Sequence, residues 1–533
     1  MSQNDDNAFA MRLESHFGDR VVRCFSKRPN SIHAMLTKTV ARRGEAEALV
    51  CGAVRLSWRE LHDAALRVGA SLAARRIGKG DRVVLLLGNR SEFVIAALGV
   101  IAIGAVIVPV STREKTPGLT YLFNNCGACA VIHDGALAEL LPPVTHAPTV
   151  RHRFTADPCT GSEDFSILLQ AEPLREPAAM EEEDVAAILY TSGTTGKPKG
   201  AMLTHLNIVH SVMHYELVLG LDERDRLAVV VPLSHVTGLV ALMLATVRCG
   251  GALIVMPEFR ATDFLRLAES ERMTATIMVP AMYNLCLMQN DIGKYDLAAW
   301  RIGGYGGAPM PLASIHSMAE RFPRLTLINA YGATETASPA TMTLPGDAGM
   351  RGESVGRAVP CGDVLIVDEA GRELPCGEAG EVWLRGPMVV KGYWENPAAT
   401  AASFTGGYWH SGDIGSLDED GYLSVFDRRK DMLNRGGYKI YSVEVENVLV
   451  AHPAVIEAAV VGKPCPVLGE RVHVFVSAAS PVTERELSAF CAQRLADYKV
   501  PEGFTIQSEP LPRNPNGKLL KRDLREMLLR AGG

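Results

Sequence analysis

The sequence predicts an α/β protein. Parallel α/β subdomains and a small β-barrel-like part form a large N-terminal domain, 1–429, followed by a small α+β C-terminal domain, 430–533. Three observations predict this. Apolar runs of strand length alternate with amphipathic runs of helix length up to residue 329, the pattern of a mostly parallel sheet. Helical periodicity then vanishes from Asp363 to Tyr422, where short β-like segments are separated by Gly, Pro and Asp. From Lys430 onward a compact mixed unit reappears. A chain of 533 residues is too long for one core, and 47% hydrophobic with 21% charged residues fits a globular protein of two or more domains.

In chain order, residues 1–30 lack periodicity and read as a partly ordered lead-in. Ile32 to Arg43 reads as a helix. A second helix opens at Leu56-Ser57-Trp58, with Leu61, Ala65, Val68 and Leu72 at helical spacing. Arg82 to Leu87 reads as a strand. Phe93 to Val110 carries no charge over 18 residues, a length at which a membrane helix must be weighed. Gly104 and the β-branched Val106-Ile107-Val108 favour a helix followed by a buried strand over a span. Gly135 to Glu183 reads as irregular, and Glu181 to Asp184 as a solvated acidic run. Beyond it come strands at Val185–Leu189, Leu227–Val231, Ala252–Met256, Ala275–Val279, Arg301–Gly307 and Thr326–Asn329. Helices are expected at His205–Leu219, Val236–Val247, Ala261–Arg272, Ala281–Met288 and Pro311–Arg321. The C-terminal unit would hold helices Ser442–Val450 and Thr483–Leu495 and strands Ile456–Val461 and His473–Val476.

The stretch Tyr190-Thr191-Ser192-Gly193-Thr194-Thr195-Gly196-Lys197-Pro198-Lys199-Gly200 carries the chemistry. Glycines let backbone N–H groups turn toward a ligand, hydroxyls add rotatable donors, and two lysines add charge. In a strand–loop–helix setting this builds an anion concavity. It is not a Walker A loop, because Pro198 follows Lys197 where that motif needs Ser or Thr.

Composition excludes other classes. A net charge of -6 gives no basic field for nucleic acid. The eleven cysteines are scattered, and Cys126-x-x-Cys129 has no second pair to complete a zinc site. The N-terminus carries Asp5 and Asp6 without the features of a signal peptide, so a cytoplasmic protein with reduced thiols is expected.

Five further clusters are each ambiguous alone: Gly303 to Pro309, Tyr331-Gly332-Ala333-Thr334-Glu335, Tyr408 to Asp413, Asp427 to Asp431, and Pro512 to Lys518. In this order after the phosphate loop, they resemble the adenylate-forming superfamily of acyl-CoA synthetases, adenylation domains and luciferases, over residues 30–525. The resemblance implies three N-terminal subdomains and a mobile C-terminal domain hinged at Lys430. It implies that Thr191, Ser192, Gly193, Thr194, Thr195 and Lys199 cradle the ATP phosphates. Gly307, Ala308 and Pro309 would border adenine, with Tyr331 stacked on it. Thr334 would touch the α-phosphate, Glu335 hold Mg²⁺, Asp413 and Arg428 bind the ribose, and Lys518 serve adenylation. Coenzyme A would enter past His235 and along Arg435, Gly436 and Gly437, with Arg260 near its phosphate. The acyl pocket would be lined by His235, Val236, Gly238, Val240, Gly303, Tyr305, Ala330 and Ser338.

Some positions depart from the family pattern. Ser411 replaces a commoner Thr, Tyr305 stands where small residues are usual, and Glu258 stands where some relatives carry a CoA-binding lysine. The resemblance therefore implies an ATP- and Mg²⁺-dependent carboxylic acid–CoA ligase. A loader of a separate carrier protein is the alternative; that no carrier domain follows Lys518 leans toward coenzyme A. A luciferase-type oxygenase ranks lower because ligase chemistry needs no extra assumption, and a non-catalytic nucleotide-binding scaffold because binding alone would not need Lys518. No basic residue in the pocket set is placed to pair a second carboxylate, which favours a monocarboxylic acid with an apolar tail or aromatic ring. Its partners would be small molecules, with a homodimer left open.

Overall fold

The uncharged run Phe93–Val110 divides at Gly104, whose φ of +69° ends one element and starts another. In the computed structural model, which describes residues 9–191, 197–289, 291–347, 351–513 and 519–531, the helix Ser91–Ala102 is followed by the strand Val106–Pro109. No helix among the described residues is long and apolar enough to cross a membrane. The helix packs on its neighbour Trp58–Ala74 through two glycines. A Cβ on Gly99 would lie 2.6 Å from the Ala65 carbonyl, so only glycine permits this approach. Ser57 and Glu60 form a reciprocal capping box that starts the Trp58 helix where the sequence expected it.

Packing divides the chain into two compact units, Met1–Val364 with Trp383–His410, and Leu365–Val382 with Ser411–Gly533. Besides a two-stranded hairpin, the first holds strands of two larger sheets. One runs in the order Lys199–Thr204, Val185–Thr191, Val106–Pro109, Arg82–Leu86, Ala130–His133, His152–Thr155 and Glu163–Asp164, parallel except at its first pair. The other contains the parallel run Thr326–Tyr331, Ile302–Tyr305, Ala275–Met278, Arg226–Val229, Ala252–Val255 and Glu47–Cys51. Its core buries Trp300, Tyr283, Phe264 and Met318.

In the second unit, Leu433–Arg435, Tyr438–Ile440, Val455–Cys465, Gly469–Ala478 and Gly503–Gln507 form one sheet, packed by the helix Ser442–Val450. The outer strand Gly503–Gln507 and the last helix, Lys521–Ala531, were not expected from periodicity.

Several expectations are corrected. The lead-in forms an antiparallel hairpin, Met11–His16 with Arg20–Phe25. The acidic run is not simply solvated: Glu182 pairs with Arg28 and Asp184 with Lys79, each at 2.7 Å, and Glu183 lies 3.0 Å from His16. Partners about 100 residues or more away in sequence drew these charges in, which no local pattern reports. The irregular segment carries two short strands, His152–Thr155 and Glu163–Asp164. The helix expected at Val236–Val247 begins as a π-helix, Thr237–Leu244, before the α-helix Ala245–Cys249. Within the β-rich stretch lies a short helix, Pro397–Ser403, capped by Asn396.

The helix His205–Leu219 is buried on nearly every face and includes His210 and His214. The His210 Nδ1 faces the Leu206 carbonyl at 2.9 Å, and its Nε2 accepts the Phe25 N–H at 3.2 Å. A second ring proton would break the latter contact, and burial pushes the His210 pKa down to about 3. Folded protein therefore binds fewer protons here than unfolded chain. Stability is complete above the ordinary histidine value of about 6.5 and declines as pH falls toward the folded value. We expect the thermal midpoint to drop between pH 7 and pH 5, and His210→Gln to flatten that drop. Calorimetry across the range checks both.

Candidate active site

The phosphate loop is not followed directly by a helix. Its two arms form an antiparallel pair, with Thr191 opposite Lys199, and the helix starts only at His205. Ser192, Gly193, Thr194 and Thr195 lie outside the described residues. The arms are anchored from outside. The Tyr190 hydroxyl donates to Asn125 Oδ1 at 2.6 Å, Tyr121 donates to the Pro198 carbonyl at 3.1 Å, and the Trp394 N–H donates to the Gly200 carbonyl at 2.7 Å.

Glu335 meets these arms. It sits in the 3-10 turn Thr334–Thr336 and is 7% exposed. Its Oε1 accepts from the Tyr393 hydroxyl at 3.0 Å and lies 3.4 Å from Thr191 Oγ1. Lys199 Nζ stands 5.1 Å from the centre of the Tyr393 ring. Thr191, Lys199 and Glu335, separated by up to 144 positions, are thus within one neighbourhood. Tyr393 was missed by sequence reasoning. It falls in the β-rich stretch, and only the Gly-Tyr-Trp cluster at 392–394 marks the spot.

The adjoining wall comes from the C-terminal ends of parallel strands, where ligands of open α/β sheets bind. Ile302–Tyr305 and Thr326–Tyr331 pair side by side and deliver Gly307, Ala308, Pro309 and Tyr331. A Cβ on Gly306 would lie 2.4 Å from the Ala330 carbonyl, and Gly307 has φ +76°. Gly307, Ala308 and Pro309 are exposed at this rim. Past Glu335 the chain doubles back sharply. Ala337 and Ser338 have φ +48° and +102°, and the Ser338 hydroxyl is 2.8 Å from the buried Tyr215 hydroxyl. Two successive non-glycine residues with positive φ store strain, the kind that collects at functional turns.

The acyl-pocket candidates divide between this turn and the π-helix. Val236 and Val240 are buried, and a Cβ on Gly238 would approach the Pro232 carbonyl to 2.2 Å. Asn89, unmarked in the sequence, fixes that segment by accepting the Leu233 N–H and donating to the Val231 and Met256 carbonyls. His235 is exposed, with Nδ1 3.2 Å from Thr237 Oγ1. Tyr305 is 1% exposed and joins the core around Tyr283, Trp300 and Met278. Gly303 is buried in the same strand.

In the second unit, Asp413 and Arg428 face each other across an antiparallel pair, with Nε to Oδ1 at 3.0 Å. Ser411 supports Asp413, accepting its N–H at 3.0 Å and donating to the Val382 carbonyl at 2.7 Å. Lys430 is exposed. The hairpin expected to admit coenzyme A turns through Gly436 and Gly437, at φ +61° and +91°. Arg435 is ion-paired with Glu502. Arg260, in the first unit, lies 3.4 Å from Glu258, an exposed pair that contributes little. Lys518 lies outside the described residues.

The profile of the AMP-binding enzyme family matches residues 36–394, and that of the AMP-binding enzyme C-terminal domain matches 444–518. The chain is 34% identical over 496 residues to the long-chain-fatty-acid–CoA ligase FadD13 of Mycobacterium tuberculosis, spanning 92% of this chain and 96% of that protein. Among solved structures, the anthranilate CoA ligase AuaEII in complex with anthranoyl-AMP superposes with a TM-score of 0.89 at 27% identity, covering 95% of this chain and 99% of that one. The O-succinylbenzoate coenzyme A synthetase of Bacillus subtilis, in complex with ATP and magnesium ion, superposes with a TM-score of 0.84 at 30% identity, covering 92% and 99%.

Proposed function

The chain belongs to the AMP-binding enzyme family as an ATP-dependent acid–CoA ligase working through an acyl-AMP, and from that premise we propose which of its residues carry each step and which acids it takes. The observation that carries the assignment is the meeting of Thr191 and Tyr393 at the buried Glu335 carboxylate, with Lys199 over the Tyr393 ring.

In the first half-reaction a substrate carboxylate oxygen attacks the α-phosphorus of ATP. The bond to the β-phosphate breaks, and pyrophosphate leaves. Both reactants are anionic and repel. Lys199 and the hydroxyls of Thr191, Ser192, Thr194 and Thr195 hold the phosphates, and Lys518 offsets the charge between carboxylate and α-phosphate. Thr334 steadies the α-phosphate, while Tyr331, Gly307, Ala308 and Pro309 seat the adenine. Asp413, held by Arg428, accepts from the ribose hydroxyls.

Glu335 suits Mg²⁺. The carboxylate is buried, its protein donors are neutral hydroxyls, and among the described residues no cationic side chain pairs with it. One carboxylate supplemented by substrate phosphates is the donor set that this hard cation takes. Bound there, Mg²⁺ would neutralise charge on the departing pyrophosphate.

In the second half-reaction the coenzyme A sulfur attacks the acyl carbon, and AMP leaves. Rotation about Lys430 would exchange the Lys518 loop for the Gly436-Gly437 hairpin, whose missing side chains suit a narrow pantetheine arm. His235 would stand at its mouth. The acid is a monocarboxylate with an apolar tail or aromatic ring. The small or apolar Val236, Gly238, Val240, Gly303 and Ala330 support that class. Eleven unpaired cysteines support a reducing, cytoplasmic setting.

Pyrophosphate release with ATP, Mg²⁺ and a panel of fatty and aromatic acids, with and without coenzyme A, tests this reading. Thioester is expected only with coenzyme A, identified by mass. Acyl-AMP that persists after coenzyme A is added would shift the assignment to loading of a carrier protein.

A further inference from the structure

Glu335 presents two unequal oxygens. Oε1 is engaged by Tyr393 and Thr191, whereas Oε2 has no hydrogen-bond donor among the described residues. A carboxylate held by one oxygen keeps its other lone pairs pointed in one direction. The segment that carries this phenol is itself tied to its neighbours. The Val390 N–H donates to the Glu335 carbonyl at 2.9 Å, the Met202 N–H to Gly392 at 3.1 Å, and the Tyr393 N–H to Thr400 Oγ1 at 3.0 Å. From the opposite side Arg20 donates to the Val390 and Lys391 carbonyls at 2.8 and 3.0 Å. Phe404 packs edge-on against the Tyr393 ring, with centroids 6.0 Å apart.

The same ring faces the other arm of the phosphate hairpin. Lys199 Nζ is 5.1 Å from its centroid, within the range of a cation–π contact. Residue 393 also forms a β-bridge with Ala201, two positions beyond that lysine. One side chain therefore touches the metal-binding carboxylate through its hydroxyl and the phosphate-binding lysine through its ring face.

We propose that Tyr393 is a positioning residue that sets Glu335 for Mg²⁺ and Lys199 for the ATP phosphates at once, so that metal and nucleotide bind as a coupled pair. The proposal rests on the reading of Glu335 as the Mg²⁺ residue.

Two substitutions separate the contacts. Tyr393→Phe removes the hydroxyl and keeps the ring, and Tyr393→Leu removes both. Calorimetric titration of each protein with ATP, in Mg²⁺ and in EDTA, measures how much Mg²⁺ tightens nucleotide binding. Tyr393→Phe is expected to lose about tenfold of that gain, the scale of one hydrogen bond to a charged group, while affinity in EDTA stays within about twofold of wild type. Tyr393→Leu is expected to weaken binding in EDTA as well, because Lys199 loses its ring. A merely structural tyrosine would lower both affinities together or neither. Tyr393→Phe with an undiminished Mg²⁺ gain overturns the proposal. Glu335→Gln is the reference. If it too keeps the full gain, the reading of Glu335 falls; if it loses the gain while Tyr393→Phe does not, only the positioning role falls.

Discussion

Lys518→Ala is expected to lower acyl-AMP formation by at least about a hundredfold while leaving thioester formation from supplied acyl-AMP near the wild-type rate. Attack of a carboxylate on an anionic α-phosphate brings like charges together, and a lysine between them counts most where charge builds up, in the transition state. Once the acyl-AMP exists that charge problem is gone, and the thiol attacks a neutral carbonyl carbon. The role proposed for the lysine gives it no comparable task in the second step. The two half-reactions are followed separately, by pyrophosphate release without coenzyme A and by thioester formation from synthetic acyl-AMP. Equal loss in both assays would contradict the division of labour between Lys518 and the Gly436-Gly437 hairpin.

Gly332→Ala is expected to disable the proposed nucleotide site without removing any polar side chain. A Cβ on Gly332 would lie 1.6 Å from the Ser338 carbonyl oxygen and 2.9 Å from Thr336 Oγ1. That oxygen cannot withdraw cheaply. It accepts from Thr336 Oγ1 at 3.0 Å, and the chain behind it already holds Ala337 and Ser338 at positive φ. Relief requires the turn between Tyr331 and Ser338 to open, and Thr334 and Glu335 move with it. We expect a destabilisation of roughly 2–4 kcal/mol and at least about a hundredfold lower kcat/KM for ATP. Gly78→Ala, where a Cβ meets nothing within 4 Å, is the control and should change neither. Wild-type ATP kinetics in Gly332→Ala would show that the turn tolerates opening.

The family was legible because Tyr331 to Glu335 and the run 190–200 are each a local grouping of residue types, and their order along the chain multiplied their weight. Tyr393 was not, since a tyrosine after a glycine has no chemistry until a fold brings Glu335 and Lys199 to it. Asn89 is similar: its value lies in the Val231, Leu233 and Met256 backbone groups it satisfies across the fold. The partner of Arg435 was equally hidden: Glu502, which engages it, lies 67 residues on.

Sequence alone determined the alternation of strands and helices, the division of Phe93–Val110 and the family that the order of its motifs implies. Those properties depend on period, local turn chemistry and motif order, which are written in neighbouring residues. Tertiary structure decided that Lys199 returns antiparallel to Thr191, that the acidic run is paired with Arg28, His16 and Lys79, that His210 is kept neutral, and that one tyrosine spans carboxylate and lysine. Each of these depends on groups distant in sequence meeting where water is excluded, and there the interaction energy is set by partners rather than by period.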